Sequence, residues 1–403
     1  MKVMDGIRVI DLSQGIEGSY CTKLLADYGA EIIKIEEPGW GDISRRNGPF
    51  QNDIPNLETS GEFLFFNTNK KSITLDIFKQ TGLELFKQML PNVDLIVENG
   101  KPEYLSKIGL DYKTLESINP KLVVLSISDY GSSGNYKEQA LTDLISAGST
   151  GYMYQMGDPD KSPLQPGIPV ARLMTGLYGA FSLLIGLLKS ENDGQGQYIE
   201  ISIYEAMVAS LIYDTVSYSY LGRIKHRPGH YWATHQGIRM SVQPCKDGYF
   251  GLFLAAGDFR WQLMWEVLLG MPDIAGDTNF SKLENVAEMT PMLEEIARPW
   301  FARHTSEEIF HKAQELFLPF AAIPDMAGVH ENKHLRERNF FISIEHPVVG
   351  KLEYPGKSFR LGDDQSIGTE PAPQLGQHNR EIFIEWLGLN SQELIRLRNE
   401  EII

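Results

Sequence analysis

Ile7-Arg8-Val9-Ile10-Asp11-Leu12, a helical pattern over Tyr20 to Tyr28, and Glu31-Ile32-Ile33-Lys34-Ile35 open the chain as strand, helix and strand. Short apolar runs alternate with stretches whose apolar residues recur at helical spacing. The rhythm continues through a helix across Gly82 to Leu90, the strand Asp94-Leu95-Ile96-Val97 and the strand Lys121-Leu122-Val123-Val124-Leu125-Ser126. Strands separated by helices in this way imply parallel βαβ units with right-handed crossovers, an α/β fold.

Further along, a long helix is predicted over Ala171 to Lys189. The glycine-bearing turn Ser190 to Gln197, the alternating strand Tyr198 to Ile203 and a helical run from Tyr204 to Tyr220 follow. Residues 221–240 are rich in His, Arg and Gly and read as a linker or long loop. Asp247-Gly248 looks like a turn feeding the strand Tyr249 to Leu254. Residues 258–320 read as mostly helical, with Trp261, Trp265 and Trp300 at helical spacing, which suits core residues. The tail from Asn339 returns to strands and turns and ends in a helix over Arg380 to Leu387.

The 403 residues suffice for two domains with sizeable cores, and 42% hydrophobic against 22% charged residues fits a globular chain. A formal charge of −16 argues against nucleic acid or an anionic membrane as partner. Any anionic ligand then needs a local pocket of cations or backbone N–H groups. Cys21 and Cys245 are the sole cysteines, too few for a disulfide framework or a zinc cluster, and a reducing cytoplasm is the expected compartment. The apolar run Leu173 to Leu188 is short for a membrane span and reads as a buried helix.

Ser13-Gln14-Gly15-Ile16-Glu17-Gly18-Ser19 joins the first strand to its helix, and such a loop lets backbone N–H groups face an anion. Its spacing is not G-x-G-x-x-G, and the chain also lacks G-x-x-x-x-G-K-[ST], G-x-S-x-G and H-E-x-x-H. His226, His230 and His235 come nearest to a ligand cluster, but a solvated basic loop explains them better, so no metal is expected.

Several motifs in order carry a resemblance. They are Asp5 to Leu12; Leu25-Ala26-Asp27-Tyr28-Gly29-Ala30 through Glu36; Asn69-Lys70-Lys71-Ser72-Ile73 with Leu75-Asp76; and Asp94 to Asn99. Gly109 to Tyr112, Asn119 to Val123, Gly194 to Gln197 and Ala372 to His378 complete the set. Together they resemble the class III CoA-transferases, the family of formyl-CoA transferase, carnitine CoA-transferase and α-methylacyl-CoA racemase. The resemblance implies a Rossmann-like large domain with a parallel sheet, a smaller α+β domain, and two subunits interlocked as a dimer. It divides the chain into 1–200 as the N-terminal part of the large domain, 201–240 as linker, 241–330 as the small domain, and 331–403 as linker and return to the large domain. No permanently bound cofactor is implied; a coenzyme A thioester is the substrate.

In active members an aspartate attacks the donor acyl-CoA, giving a mixed anhydride and then an aspartyl-CoA thioester; a carboxylate serves as both nucleophile and leaving group. That aspartate lies in a segment of the form Pro-x-x-Asp-x-x-x-Gly. The matching segment here is Pro169-Val170-Ala171-Arg172-Leu173-Met174-Thr175-Gly176, with Arg172 at the nucleophile position. Guanidinium stays protonated at physiological pH and has no free lone pair to attack with. At a helix start it also needs an acid to neutralise it.

The resemblance places Gly15, Ile16, Glu17, Glu37, Leu75, Asn99 and Lys107 along the CoA site. Glu37 stands where many relatives carry a base, and Thr142, beside Asp143, where the racemase branch needs a histidine. The chain is therefore expected to be an aspartate-lacking subunit of a heteromeric CoA-transferase, resembling that of succinyl-CoA:benzylsuccinate CoA-transferase. Its partner would be a homologous aspartate-bearing subunit. The alternatives are a repurposed homodimer in which Arg172 holds a substrate carboxylate and Asp143 acts as base, and an acyl-CoA-binding regulatory protein.

Overall fold

β1 (Arg8–Asp11), α1 (Ile16–Asp27) and β2 (Glu31–Glu36) form the opening βαβ unit, α1 beginning at Ile16 rather than Tyr20. The computed structural model describes residues 2–233, 239–254, 259–281, 283–362 and 370–403. The chain divides into two units. The first comprises Met1–Gly151, Pro166–Leu221 and Asn339–Ile403; the second comprises Tyr152–Gln165 and Gly222–Arg338.

In the first unit the chain continues through α2 (Gly61–Phe66), β3 (Lys70–Thr74), α3 (Gln80–Met89), β4 (Leu95–Asn99), α4 (Tyr112–Ile118) and β5 (Val123–Ser128). α5 (Asp143–Ser149), α6 (Val170–Asp193), β6 (Tyr198–Ser202), α7 (Ile203–Ser210) and α8 (Ile212–Leu221) follow. All six strands are parallel, in the order β3-β2-β1-β4-β5-β6. The order reverses between β1 and β4, which opens a crevice at the carboxyl ends of the strands. One face of the sheet, with Ile10, Ile33, Ile96 and Val124, packs on Phe86, Met89, Leu115 and Phe383.

α6 covers part of the other face alongside α1. Gly176 and Gly179 make the approach close: a Cβ on Gly176 would stand 2.7 Å from the Glu17 carbonyl oxygen, and one on Gly179 3.1 Å from Cys21 Sγ. This contact carries the first turn of α6 over to Glu17. α6 was expected to be buried, and only one of its faces is. Phe181, Ile185 and Leu188 are exposed on the other, where a polar residue would have cost nothing. By length and composition alone it is the one helix among the described residues apolar enough to cross a membrane.

β3 is one of the two edge strands, and the C-terminal return closes it. Ser72 N–H donates to His378 Nδ1 at 3.1 Å and Thr74 N–H to Asn379 Oδ1 at 2.8 Å. The motif ending at His378 thus protects a sheet edge. A hairpin of β11 (Phe341–His346) and β12 (Gly350–Pro355) precedes it.

The second unit has an antiparallel sheet in the order β10-β9-β8-β7, formed by Ala321–Ile323, Tyr249–Leu254, Arg239–Pro244 and Tyr231–Ala233. Trp261 and Trp265 are buried in its core with Phe250, Leu293, Phe301 and Ile309, and Trp300 packs against it. The expected linker over 201–240 differs from the structure: α7 and α8 occupy that stretch as far as Leu221. The second unit also includes the loop Tyr152–Gln165, which the division by sequence left in the large domain.

Candidate active site

Arg172 is the third residue of α6, whose N-cap Pro169 offers no side-chain acceptor and whose first turn holds no acid. An unneutralised cation there would oppose the helix dipole. The structure neutralises it twice. Nη1 donates to Glu17 Oε2 at 2.9 Å, Nε to Asp143 Oδ1 at 2.8 Å, and Nη2 to the Leu141 carbonyl at 3.0 Å. Burial would lower the guanidinium's pKa, but Glu17 and Asp143 outweigh it and hold the group further into its charged form. The expected ion pair is therefore present, and it lies within one chain.

Glu17 sits in the first turn of α1 with its side chain 5% exposed. Its Oε1 accepts from Asn99 Nδ2 at 2.6 Å. Asn99, at the end of β4, also holds the glycine loop: it accepts from Gln14 N–H and donates to the Gln14 carbonyl, both at 2.6 Å. Glu17, Asn99 and Arg172 thus belong to one network. Asp143 joins it through Oδ1, so both carboxylates pair with the cation, and Arg172 has no lone pair to offer. Thr142 accepts from Ile145 N–H at 3.3 Å and caps α5, which positions Asp143.

The anion site expected at the glycine loop is filled from within. Gly15 N–H donates to Asp42 Oδ1 at 3.0 Å, and Asp42 pairs with the buried Lys34 at 2.7 Å. Lys70 meets Asp11 at 3.0 Å beneath the loop. Burial opposes ionisation of Asp11, but Lys34 and Lys70 hold it below the usual carboxylate range. Burial pulls Lys70 down to about 8, against the attraction of Asp11. Arg45, fully buried, bonds Glu36 through Nε at 2.7 Å and Nη2 at 2.9 Å. These pairs tie the carboxyl ends of β1 and β2 together and to the start of β3. Lys34, a charge inside the otherwise apolar run Ile32 to Ile35 of a strand buried on both faces, is the signal that could have found them.

Beyond those strand ends lies a cavity of about 510 Å³ whose lining includes Leu12, Glu37, Trp40, Leu75, Phe78 and Tyr104. Of the residues singled out from the sequence, Glu37 and Leu75 line this cavity, and Ile16 is buried at the start of α1. Lys107 is exposed on the turn Ser106–Ile108 and does not line it. Sequence reasoning missed Trp40, Phe78 and Tyr104, whose separate loops gave no spacing pattern. Among the described residues no group of three His, Cys, Asp or Glu is placed to hold a metal. His226 approaches Tyr154 Oη at 3.3 Å and His230 approaches Glu294 at 3.8 Å, while His235 lies outside the described residues.

Two subunits of one enzyme from Chloroflexus aurantiacus align with nearly the whole chain. The alpha subunit of succinyl-CoA–L-malate CoA-transferase is 29% identical, covering 99% of this chain and 92% of the relative. The beta subunit is 28% identical, covering 99% and 97%. A CAIB/BAIF family protein from Brucella suis superposes with a TM-score of 0.85 at 26% identity, covering 95% of this chain and 99% of that one. The family model described as CoA-transferase family III matches residues 4–379, which include the whole parallel sheet, the Arg172 network and the edge-closing return. With the motifs, the sheet order and the match in agreement over that length, the chain belongs to CoA-transferase family III.

Proposed function

We propose that this chain is the non-catalytic subunit of a heteromeric class III CoA-transferase. The complex moves CoA from an acyl-CoA such as succinyl-CoA to a carboxylic acid such as benzylsuccinate. The acyl chemistry then resides on a homologous, aspartate-bearing partner. One observation carries this reading: Arg172, at the nucleophile position, is held by Glu17, Asp143 and the Leu141 carbonyl. A side chain fixed by three acceptors and lacking a lone pair forms no anhydride.

Two further observations support it. Relatives of nearly equal similarity are named as alpha and beta subunits of a single CoA-transferase. Exposed Phe181, Ile185 and Leu188 on α6, with Tyr213, Val216 and Tyr220 on α8, form apolar faces suited to cover by a second chain. The repurposed homodimer fares worse, because Arg172 spends its Nε and Nη1 donors on Glu17 and Asp143, the latter being the base that reading requires.

The test is acyl trapping. The purified chain is mixed with succinyl-CoA, quenched with hydroxylamine and read by mass spectrometry. It should carry neither hydroxamate nor CoA adduct, whereas a homologous chain co-purified from the native source should carry one. An adduct on this chain alone overturns the proposal.

A further inference from the structure

A second, smaller cavity lies against the face of the parallel sheet on its β6 side. Strand pairing sets Glu98 of β4 level with Ser126 of β5 and Glu200 of β6, and the neighbouring row on the same face sets Val124 beside Tyr198. Tyr198 is the first residue of β6, so the cavity flanks the sheet rather than capping its strand ends. It holds about 170 Å³, and among the described residues Tyr104 alone lines both this cavity and the larger one. Pockets for drug-sized ligands run to about 300–1,000 Å³, so this one suits a molecule of only a few heavy atoms.

Leu115 of α4 and Val124 give the cavity an apolar floor, and Tyr104, Tyr112 and Tyr198 supply rings. The Tyr112 and Tyr198 ring centroids stand 5.8 Å apart. Its charged lining residues are all acids: Glu98, Glu103 and Asp111. Asp111 is committed to capping α4, accepting from Thr114 N–H at 3.1 Å and from Thr114 Oγ1 at 3.0 Å. Glu98 differs from it. The residue is 5% exposed, and its buried Oε2 accepts no hydrogen bond among the described residues. A buried acceptor without a donor is unfavourable, and a ligand that brings a donor removes the penalty.

We infer that this cavity binds a small alkylammonium ion. Its N–H donates to Glu98 Oε2, its positive charge faces the tyrosine rings, and its alkyl chain lies against Leu115 and Val124. A neutral alcohol brings the donor without the charge that three rings and an acidic lining favour. The inference is independent of the non-catalytic reading, because no residue lining the cavity belongs to the Arg172 network.

Binding of this kind carries a pH signature. Burial pushes the Glu98 carboxyl up to about 7, against the Ser126 hydroxyl. Burial also raises the phenols of Tyr104, Tyr112 and Tyr198, and the Thr114 bonds lower Asp111, so these neighbours hold one charge state near neutrality. Of the other acids nearby, Glu200 accepts from Ser132 N–H at 2.5 Å and Glu103 is exposed on its turn. An alkylammonium stays protonated throughout, as a lysine does. Its affinity should therefore rise as Glu98 loses its proton.

The test is a ligand-observed NMR titration of the full-length chain with n-butylammonium chloride and with 1-butanol, its neutral near-isostere. At pH 8 n-butylammonium should bind at least about tenfold more tightly than 1-butanol, and about tenfold more tightly than it does itself at pH 6. Glu98→Gln should weaken n-butylammonium at least about tenfold, abolish its pH dependence and leave 1-butanol within about threefold. Tyr112→Leu should weaken n-butylammonium about threefold. Equal binding of the two probes, no binding of n-butylammonium, an affinity that is flat with pH, or one unchanged by Glu98→Gln overturns the inference. The pH titration needs only the parent chain, so it decides the matter even where a variant fails to fold.

Discussion

Arg172→Ala should destabilise the first unit chiefly by stranding Glu17. The Glu17 side chain is 5% exposed and would keep only its bond from Asn99. Asp143, 47% exposed, loses little, because solvent screens such pairs to well under about 1 kcal/mol. Removing one member of a buried pair costs about 3–5 kcal/mol. Arg172 itself is 24% exposed, so water can enter behind the truncated side chain, and the surviving Asn99 bond softens the loss. A cost of about 2 kcal/mol follows. Adding Glu17→Gln removes the stranded charge and should bring the double variant back to within about 1 kcal/mol of the parent, a coupling of at least about 1 kcal/mol. With two units in the chain, a single unfolding transition is not assured. The assay is therefore a double-mutant cycle read by urea midpoints together with hydrogen exchange in the first turns of α1 and α6. If Arg172→Ala leaves both the midpoint and the exchange of those turns unchanged, the guanidinium does not hold Glu17 and the reasoning fails.

Arg172→Asp should place a third carboxylate beside Glu17 and Asp143, destabilise the chain more than alanine does, and yield no acyl adduct by mass spectrometry. Combining it with Glu17→Gln relieves the repulsion, and an adduct should appear in that double variant alone. Gly176→Ala should cost about 2 kcal/mol in urea melts and raise exchange at the start of α6, since its Cβ would meet the Glu17 carbonyl at 2.7 Å and the Tyr20 ring at 2.9 Å. Glu98, whose Oε2 has no donor among the described residues, is pushed by burial from 4.5 up to about 7. A raised carboxyl favours folding while protonated and loses that benefit as pH climbs from the unfolded value through the folded one. Glu98→Gln should therefore gain stability relative to the parent between pH 5 and 8, by up to about 3 kcal/mol in paired urea melts. A constant difference across that range would contradict the assignment.

The parallel sheet was legible because Val9, Ile10, Ile32, Ile33, Ile96 and Val124 fall in short apolar runs whose burial leaves little choice of structure. β3 was harder to read. Lys70-Lys71-Ser72 reads as a polar surface, yet Lys70 and Ser72 are buried because Asp11 and Glu36 wait for them across the sheet end. The cation at position 172 could be read as needing an acid, but the acid could not be named. Glu17 is 155 residues away, and only the glycine-lined contact of α1 with α6 brings the two together. Glu17 had been placed by sequence along the CoA site; in the structure its carboxylate is turned to Arg172. The helical run from Tyr204 to Tyr220 was legible and is present as α7 and α8, broken at Leu211; the linker drawn from residue 201 began too early.

By the resemblance, position 172 carries a cation where active members carry a carboxylate, and the arrangement of acids explains how the fold accommodates it. Glu17 stands in the first turn of α1, where the dipole favours an anion, and Asp143 in the first turn of α5, where the same holds. Arg172 enters a third helix at the corresponding turn, where a cation alone would be unfavourable. Two anions stabilised by their own helices thus compensate one cation that its own helix disfavours. The compensation depends on Gly176 and Gly179 holding α6 against α1, which is a property of backbone packing rather than of catalysis. A chain built this way seats a cation at position 172 without leaving it alone against its helix dipole, which suits the proposed role of a subunit that contributes structure to a complex and leaves the acyl chemistry to its partner.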